Sequence, residues 1–298
     1  MRICVANPRY ALAVTTDEHA PRVPPCRAAE LEALADLCRG RRVVVLSGAG
    51  CSTESGIPDY RGEGTRARAR NPVRFDAYVH DPVARTRYWA RAMIGWPRFR
   101  AAQPNSAHRA LAALEQAGVV ASVITQNVDR LHQAAGSRAV TELHGALAEV
   151  RCLKCGRIEP RDDLQSRLEQ LNPGWLAHEA ALAPDGDADL ETSLTHFRTA
   201  ECPSCAGLLK PNVVFFGEQV PQAIVDQAYA CVGAAELLLV VGSSLAVFSG
   251  LRFVKRAHGL GIPIAIVNVG PTRAAGLATL ELEARLGDAL PRLAASLI

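Results

Sequence analysis

Aromatic side chains, net charge and long apolar runs are all scarce in this chain of 298 residues. Phe, Trp and Tyr together make up only 5% of it. Thirty-three Lys and Arg against 30 Asp and Glu leave a formal charge of +3, too mild to imply nucleic acid and in keeping with a solvated, mixed surface. No apolar run approaches the roughly 20 residues that a bilayer-spanning helix needs. The stretch at 3–14 is broken by Asn7, Pro8 and Arg9, so it lacks the apolar centre of a secretory signal. No internal repeat stands out. What remains is ordinary for a globular protein: 49% hydrophobic residues, and length for one large or two modest domains.

The cysteines are more telling. Cys4, Cys26, Cys38, Cys51 and Cys231 are scattered, and the total of nine is odd, which speaks for a reducing cytoplasm and against a disulfide framework. The other four form two pairs, Cys152-x-x-Cys155 and Cys202-x-x-Cys205. Each pair presents two thiolates on one turn, and four together complete a tetrahedral Zn²⁺ site. With all four positions filled by protein no water fits, so the metal is expected to be structural.

Residues 1–26 carry four prolines and no periodicity, and are expected to form an irregular N-terminal arm. Ala28–Cys38 sets Leu31, Leu34, Ala35 and Cys38 on one helical face before Gly40. The run at 42–47 (RVVVLS) is the mark of a strand buried on both faces of a parallel sheet, and similar runs recur at 119–125, 236–241 and 263–269. Helical stretches at 82–96, 105–117, 221–233 and 249–258 separate them. The alternation predicts an α/β fold with a Rossmann-like, doubly wound parallel sheet. Residues 151–218 break the rhythm with both cysteine pairs, a helical patch at 164–171 and a Pro-, Gly- and Asp-rich stretch. The expected division is a Rossmann-like domain of 27–150 and 211–298, interrupted by a smaller zinc-binding insertion at 151–210 that metal coordination stabilises.

Gly48-Ala49-Gly50 follows the first predicted strand, where two glycines let backbone N–H groups approach a pyrophosphate. It departs from the usual dinucleotide fingerprint, because Thr53 stands at the third small position and no acidic strand end follows about twenty residues on. A hydride-transferring dehydrogenase is disfavoured accordingly. Gln126-Asn127-Val128-Asp129, Gly242-Ser243-Ser244 and Asn268-Val269-Gly270 also lie just beyond predicted strands, the edge where open α/β sheets bind ligands. His144 closes a short β-like run at 139–143 and points to the same rim.

The run Gly48-Ala-Gly-Cys-Ser-Thr-Glu-Ser-Gly-Ile-Pro-Asp-Tyr-Arg-Gly62 brings these blocks together. With Thr125-Gln-Asn-Val-Asp129, Glu142-Leu-His-Gly145, the cysteine pairs, Lys210-Pro-Asn-Val-Val-Phe-Phe-Gly-Glu218, Gly242-Ser-Ser244 and Asn268-Val-Gly270, it resembles the sirtuin family of NAD-dependent protein deacylases, block by block and in family order over about 28–296. Stretches such as Arg87-Tyr-Trp-Ala-Arg91 and Asn172-Pro-Gly-Trp175 are similar to the class II branch, with its bacterial and mitochondrial members.

The resemblance implies that NAD is consumed: an acyl-lysine oxygen attacks the nicotinamide ribose, nicotinamide leaves, and the acyl group passes to ADP-ribose. It casts His144 as general base and Asn127 as the residue orienting the ribose hydroxyls. NAD contacts are implied at Gly48, Ala49, Gly50, Cys51, Ser52, Thr53, Asp59, Tyr60, Arg61, Gln126, Asn127, Val128, Asp129, Gly242, Ser243, Ser244, Asn268, Val269, Gly270 and Leu286. Asp129 falls on the carboxamide, and the backbone of Leu286 on the adenine. Val213, Val214, Phe216, Gly217, Glu218, Ala246 and Val247 are implied to pair with an acylated-lysine protein substrate by strand addition. Protein ADP-ribosylation is an alternative on the same fold. A zinc-ribbon nucleic-acid binder is disfavoured, since Asp185, Asp187, Asp189 and Glu191 make the insertion acidic. Neither nucleic acid nor membrane is an expected partner, and the cytoplasm is the expected location. Thr65-Arg66-Ala67-Arg68 supplies no tyrosine for the Tyr–Arg pair that takes acidic acyl chains in other sirtuins.

Overall fold

The computed structural model describes residues 26–59, 72–178 and 194–298. Tyr60, Arg61, the 65–68 stretch and the acidic residues at 185–191 lie outside them. The described strands are β1 (Val43–Ser47), β2 (Val120–Thr125), β3 (Val140–Glu142), β4 (Gly145–Cys152), β5 (Ile158–Pro160), β6 (Leu209–Val213), β7 (Leu237–Val241), β8 (Ile264–Asn268) and β9 (Leu280–Glu283). They form two sheets, and the chain divides into two compact units.

One unit comprises the segment ending at Ser55, Gln103–His144 and Val220–Ile298. Its sheet has six strands in the order β3-β2-β1-β7-β8-β9, every pair parallel. β1, β7 and β8 are buried at every position. Alternate residues therefore feed opposite cores. Val43, Val45, Leu237, Leu239 and Val267 join the helices Ala28–Cys38, Ser106–Gln116 and Leu286–Leu297 on one face. Val44, Leu46, Leu238, Val240 and Ile266 join Gln222–Gly233 and Phe248–Gly259 on the other. A continuous β-branched run is the sequence form of a strand sandwiched this way. The chain builds outward from β1 to β3, then returns to place β7 on β1's free side. That reversal of strand order is where such sheets bind ligands.

The other unit takes in Gly56–Ala102 and Gly145–Gln219. It holds both cysteine pairs and an antiparallel three-stranded sheet, β5-β4-β6, together with the helices Phe75–His80, Pro82–Ala101 and Arg161–Leu171. The compact body around the cysteines is thus wider than 151–210, because the helix Pro82–Ala101 packs Trp89, Ala92 and Met93 against Leu164, Leu168, Cys152 and Cys202. Tyr78 meets Tyr88 and Phe215 edge-on at 5.5 and 5.1 Å between centroids, and its hydroxyl donates to the Leu209 carbonyl.

The helix expected at 82–96 runs on through Pro97 to Ala101. One proline removes a single N–H bond, whereas Phe99, beyond the expected end, is buried and holds the last turn to the core. β9 and the small sheet were not evident as strands: β9 reads Leu-Glu-Leu-Glu, and β4 mixes small, polar and apolar residues. Among the described residues no helix is long and apolar enough to cross a membrane.

Candidate active site

The turn after β1 and the turn after β7 meet backbone to backbone. Gly48 N–H donates to the Val241 carbonyl at 3.1 Å, and Gly50 N–H to the Gly242 carbonyl at 2.9 Å. A Cβ on Gly48 would stand 2.7 Å from Ser243 Cβ. At Gly242, where φ is +59°, it would stand 2.5 Å from Cys51 N. Glycine is required at both positions for this contact. Thr53 donates its hydroxyl to the Gly50 carbonyl at 3.1 Å, closing the turn in place of a third glycine.

Beyond β2 the side chains form one polar network. Asn127 Nδ2 donates to the Gly48 carbonyl and to Ser52 Oγ, at 3.1 and 3.0 Å. Ser52 Oγ–H donates to Asp129 Oδ2 at 2.6 Å, and Leu131 N–H to Asp129 Oδ1 at 2.9 Å. Burial pushes the Asp129 carboxyl above its ordinary pKa, opposed by the bonds from Ser52 and Leu131. Gln126 reaches Ser243 Oγ at 2.9 Å. Gly48, Ser52, Gln126, Asn127, Asp129, Gly242 and Ser243, which are dispersed in sequence, are thus joined by hydrogen bonds or close contact, with Ala49, Cys51 and Val128 between them in the chain.

His144 is fixed at both ring nitrogens. Nδ1 lies 2.9 Å from the Gln126 carbonyl, which can only accept, so Nδ1 carries the proton. Nε2 then presents its lone pair to Ser249 Oγ at 2.9 Å, and the serine hydroxyl donates. Burial lowers the His144 pKa below 6.5; the bond to Gln126 opposes this, and the Arg252 charge adds to it. The imidazole is therefore neutral near pH 7, with Nε2 as its basic atom. Ser249 is a functional residue that sequence reading missed. Nothing about a serine in the first turn of an amphipathic helix marks it out, and only folding brings it to His144.

Other expected residues sit apart from this network. Asn268 Nδ2 bonds to the carbonyls of Val269 and Gly270 at 2.9 and 3.0 Å, while Gly270 N–H donates to Glu283 at 3.2 Å. Ser244 accepts from Arg273 N–H at 2.9 Å. The Leu286 side chain is buried, with Cδ1 3.0 Å from where a Cβ on Gly242 would stand. Asp59 belongs to the other unit.

In that unit, Val213–Glu218 is held from below. Glu218 Oε2 accepts from Lys210 Nζ at 3.0 Å and from Phe215 N–H at 2.9 Å, and Phe75 N–H donates to the Phe216 carbonyl at 3.0 Å. Val214 is half-buried, Gly217 adopts φ +86°, and the Phe216 side chain is exposed. Ala246 is half-buried and Val247 exposed, both in the sheet unit.

The four paired cysteines converge, with all four sulfurs within 4.8 Å of one another. Cys152 and Cys205 are 3.5 Å apart, Cys155 and Cys202 3.8 Å. A tetrahedron with Zn–S bonds of about 2.3 Å has edges of about 3.8 Å. The N–H groups of Cys155 and Lys154 point at Cys152 Sγ from 3.5 and 3.4 Å, drawing that thiol's pKa down to about 6. The cluster fits one structural zinc.

Known proteins bear the same features. The Sir2 family model matches residues 48–249. The chain is 56% identical over 253 residues to an NAD-dependent protein deacetylase of Xanthomonas axonopodis pv. citri, spanning 85% of this chain and 86% of that protein. It is 51% identical over 258 residues to one of Bordetella bronchiseptica, spanning 86% and 94%. A solved structure described as "Sir2-p53 peptide-NAD+" superposes with TM-score 0.70 at 33% identity, over 88% of this chain and 96% of its own. Another, from work on the mechanism and regulation of Sir2 enzymes, gives 0.73 at 30% identity over 91% and 98%. The parallel sheet with its joined turns, the oriented His144, the four-sulfur cluster and this breadth of likeness lead to one assignment: the chain belongs to the Sir2, or sirtuin, family.

Proposed function

We infer that this protein is an NAD-dependent protein lysine deacetylase, moving the acyl group of an acylated lysine to ADP-ribose with release of nicotinamide. The observation that carries the reading is His144, held neutral in one tautomer at the carboxyl edge of a parallel sheet, with Nε2 directed at Ser249. NAD, when bound, supplies the ribosyl carbon that takes the acyl oxygen as nicotinamide departs.

The chain's own residues divide the rest. His144 Nε2 takes a proton from a ribose hydroxyl, with Ser249 holding the lone pair on line until the substrate hydroxyl replaces it. Asn127 orients those hydroxyls, and Asp129 accepts from the carboxamide. The joined turns at Gly48–Ser52 and Gly242–Ser244, with Asn268–Gly270, hold the remainder of the dinucleotide at the carboxyl edge of the parallel sheet, where open sheets bind their ligands. Tyr60, Arg61 and Asp59 complete the nucleotide side. Val213–Glu218 and Ala246–Val247 pair with the substrate backbone, a mode that tolerates many sequences. The metal staples the unit that holds both cysteine pairs, whose core also takes in the helix Pro82–Ala101. The reducing cytoplasm suits four zinc-bound thiolates.

The test is a panel of acyl-lysine peptides incubated with NAD, read by mass spectrometry. Stoichiometric nicotinamide, free lysine peptide and acyl-ADP-ribose are expected. A peptide that instead gains ADP-ribose while keeping its acyl group would assign the protein to ADP-ribosyl transfer.

A further inference from the structure

Beneath the Gly48–Ser52 turn lies a second cluster of metal-ligating groups, and no part of the proposed reaction uses its chemistry. Cys51, His108 and His132 each bring one ligand atom within 4.8 Å of the other two, and all three residues are buried. The imidazole planes meet edge to face, with centroids 4.9 Å apart.

The hydrogen bonds around the cluster fix which nitrogens are free. Asn105 Oδ1 accepts from the N–H groups of Ala107 and His108, so it is the oxygen of that amide. His108 Nδ1 lies 3.0 Å from that oxygen and 3.4 Å from the Asn105 backbone N–H, so Asn105 holds this edge of the ring, and Nε2 faces Cys51 Sγ at 3.8 Å. Ser47 commits its single proton to Thr125 Oγ1 at 2.9 Å. Its oxygen also lies 2.8 Å from His132 Nε2, so that ring nitrogen is tied to Ser47 and Nδ1 is left over. That buried nitrogen has no partner. Each histidine thus has its outer nitrogen tied to a polar neighbour and its other nitrogen available, the arrangement that orients metal-bound imidazoles.

We propose that Cys51, His108 and His132 form a second metal site, for one thiophilic divalent cation of the zinc and cobalt class, separate from the four-cysteine centre. One thiolate and two neutral imidazoles are a ligand set that such cations accept, with a fourth position open. On binding, Cys51 gives up its thiol proton to solvent as the sulfur–metal bond forms; both histidines are already neutral. Occupancy would tie the glycine turn, through Cys51, to the helices carrying His108 and His132. Because the cluster is enclosed, uptake awaits local opening and is slow.

Co²⁺ is the probe. The zinc-loaded protein is incubated with Co²⁺ for many hours and freed of excess, then its zinc, cobalt and absorption spectrum are measured. The expected result is one cobalt bound with the single zinc retained, and a sulfur-to-cobalt charge-transfer band from one thiolate. Cys51→Ser should keep zinc and lose the cobalt and the band. His132→Gln keeps the thiol and supplies a second route should the serine variant fold poorly; its cobalt affinity is expected to fall at least tenfold. Absence of stable cobalt uptake by the wild type would overturn the site. So would uptake unchanged in the folded variants, or cobalt appearing only as zinc is lost with a four-sulfur spectrum.

Discussion

The two units solve the problem of making a core with different materials. The parallel-sheet unit uses aliphatic side chains delivered by the pleat: every residue of β1, β7 and β8 faces one apolar layer or the other. The cysteine-bearing unit gathers Trp89, Tyr78, Tyr88 and Phe197 with Leu164, Leu168 and two cysteines around short strands. It even buries Arg161, whose guanidinium lies 5.4 Å from the rings of both Trp89 and Trp96 and donates to the Ala92 carbonyl at 3.1 Å. In the first unit many equivalent contacts share the load. In the second, a few large side chains and one metal centre carry it, so single changes should be felt very differently.

The largest expected effect tests that contrast directly. Cys202→Ser should release zinc and sharply reduce folded protein, because three remaining sulfurs cannot complete the tetrahedron on which the small sheet depends. Leu239→Ala, a fully buried change in the other unit, should cost about 2–5 kcal/mol yet leave a folded, zinc-loaded protein. Metal analysis and thermal melts on both variants decide the matter. A Cys202→Ser protein that melts like wild type would show the zinc to be dispensable.

His144→Ala should lower deacetylation at least about a hundredfold, the scale of one positioned base. Zinc content and the melting curve should not change. Turnover close to wild type in that variant would remove His144 from the mechanism.

A third expectation concerns acid, and it belongs to the sheet unit. Burial lowers the His108 pKa from 6.5 to about 3, with the His132 and Arg109 charges adding to it, and burial lowers that of His132 to about 4. An unfolded chain protonates both near 6.5 while the native chain does not. Their contribution is thus full above pH 6.5 and is lost as pH falls from there toward 4. Melting temperature measured across pH 7.5 to 4 should drop progressively, and His108→Asn should flatten the slope. An unchanged slope would assign the acid sensitivity to other groups.

A smaller effect separates the halves of the nucleotide site. Asp129→Asn should weaken inhibition by free nicotinamide more than binding of ADP-ribose, seen by titrating both ligands. Equal losses would mean that Asp129 serves the Ser52 and Leu131 contacts alone. Acyl choice comes last. Val214 and Phe216 offer apolar surface, worth about 0.8 kcal/mol per buried CH₂. Since the Thr65–Arg68 stretch has no tyrosine to join its arginines, acetyl-lysine should be turned over faster than succinyl-lysine in matched peptides. The reverse order would point to the arginines at 66 and 68.

Legibility followed the same division. Apolar runs announce β1, β2, β7 and β8 because strands buried on both faces must be apolar throughout. The cysteine spacing announces the metal because a tetrahedral ion needs two close pairs of thiolates. The loops after the buried strands could be singled out because an open sheet exposes its ligand edge there, whereas the packing of the glycine turn against Gly242 and Ser243 could not be read from the sequence. The small sheet stayed hidden because its short strands mix their faces, and β9 because its alternation of Leu and Glu spans only four residues.

Sequence alone therefore indicated the alternation of helices with β1, β2, β7 and β8, the cysteine pairs that converge on one cluster, and the likeness to the Sir2 family. Only tertiary structure decided that Ser249, 105 residues from His144 in the chain, meets its Nε2. The same holds for His108 and His132, which converge on Cys51. Both arrangements arise from strand order in the parallel sheet, which brings together loops that the chain keeps far apart. Local pattern reports which residues are buried, whereas which buried groups face one another depends on how the elements pack.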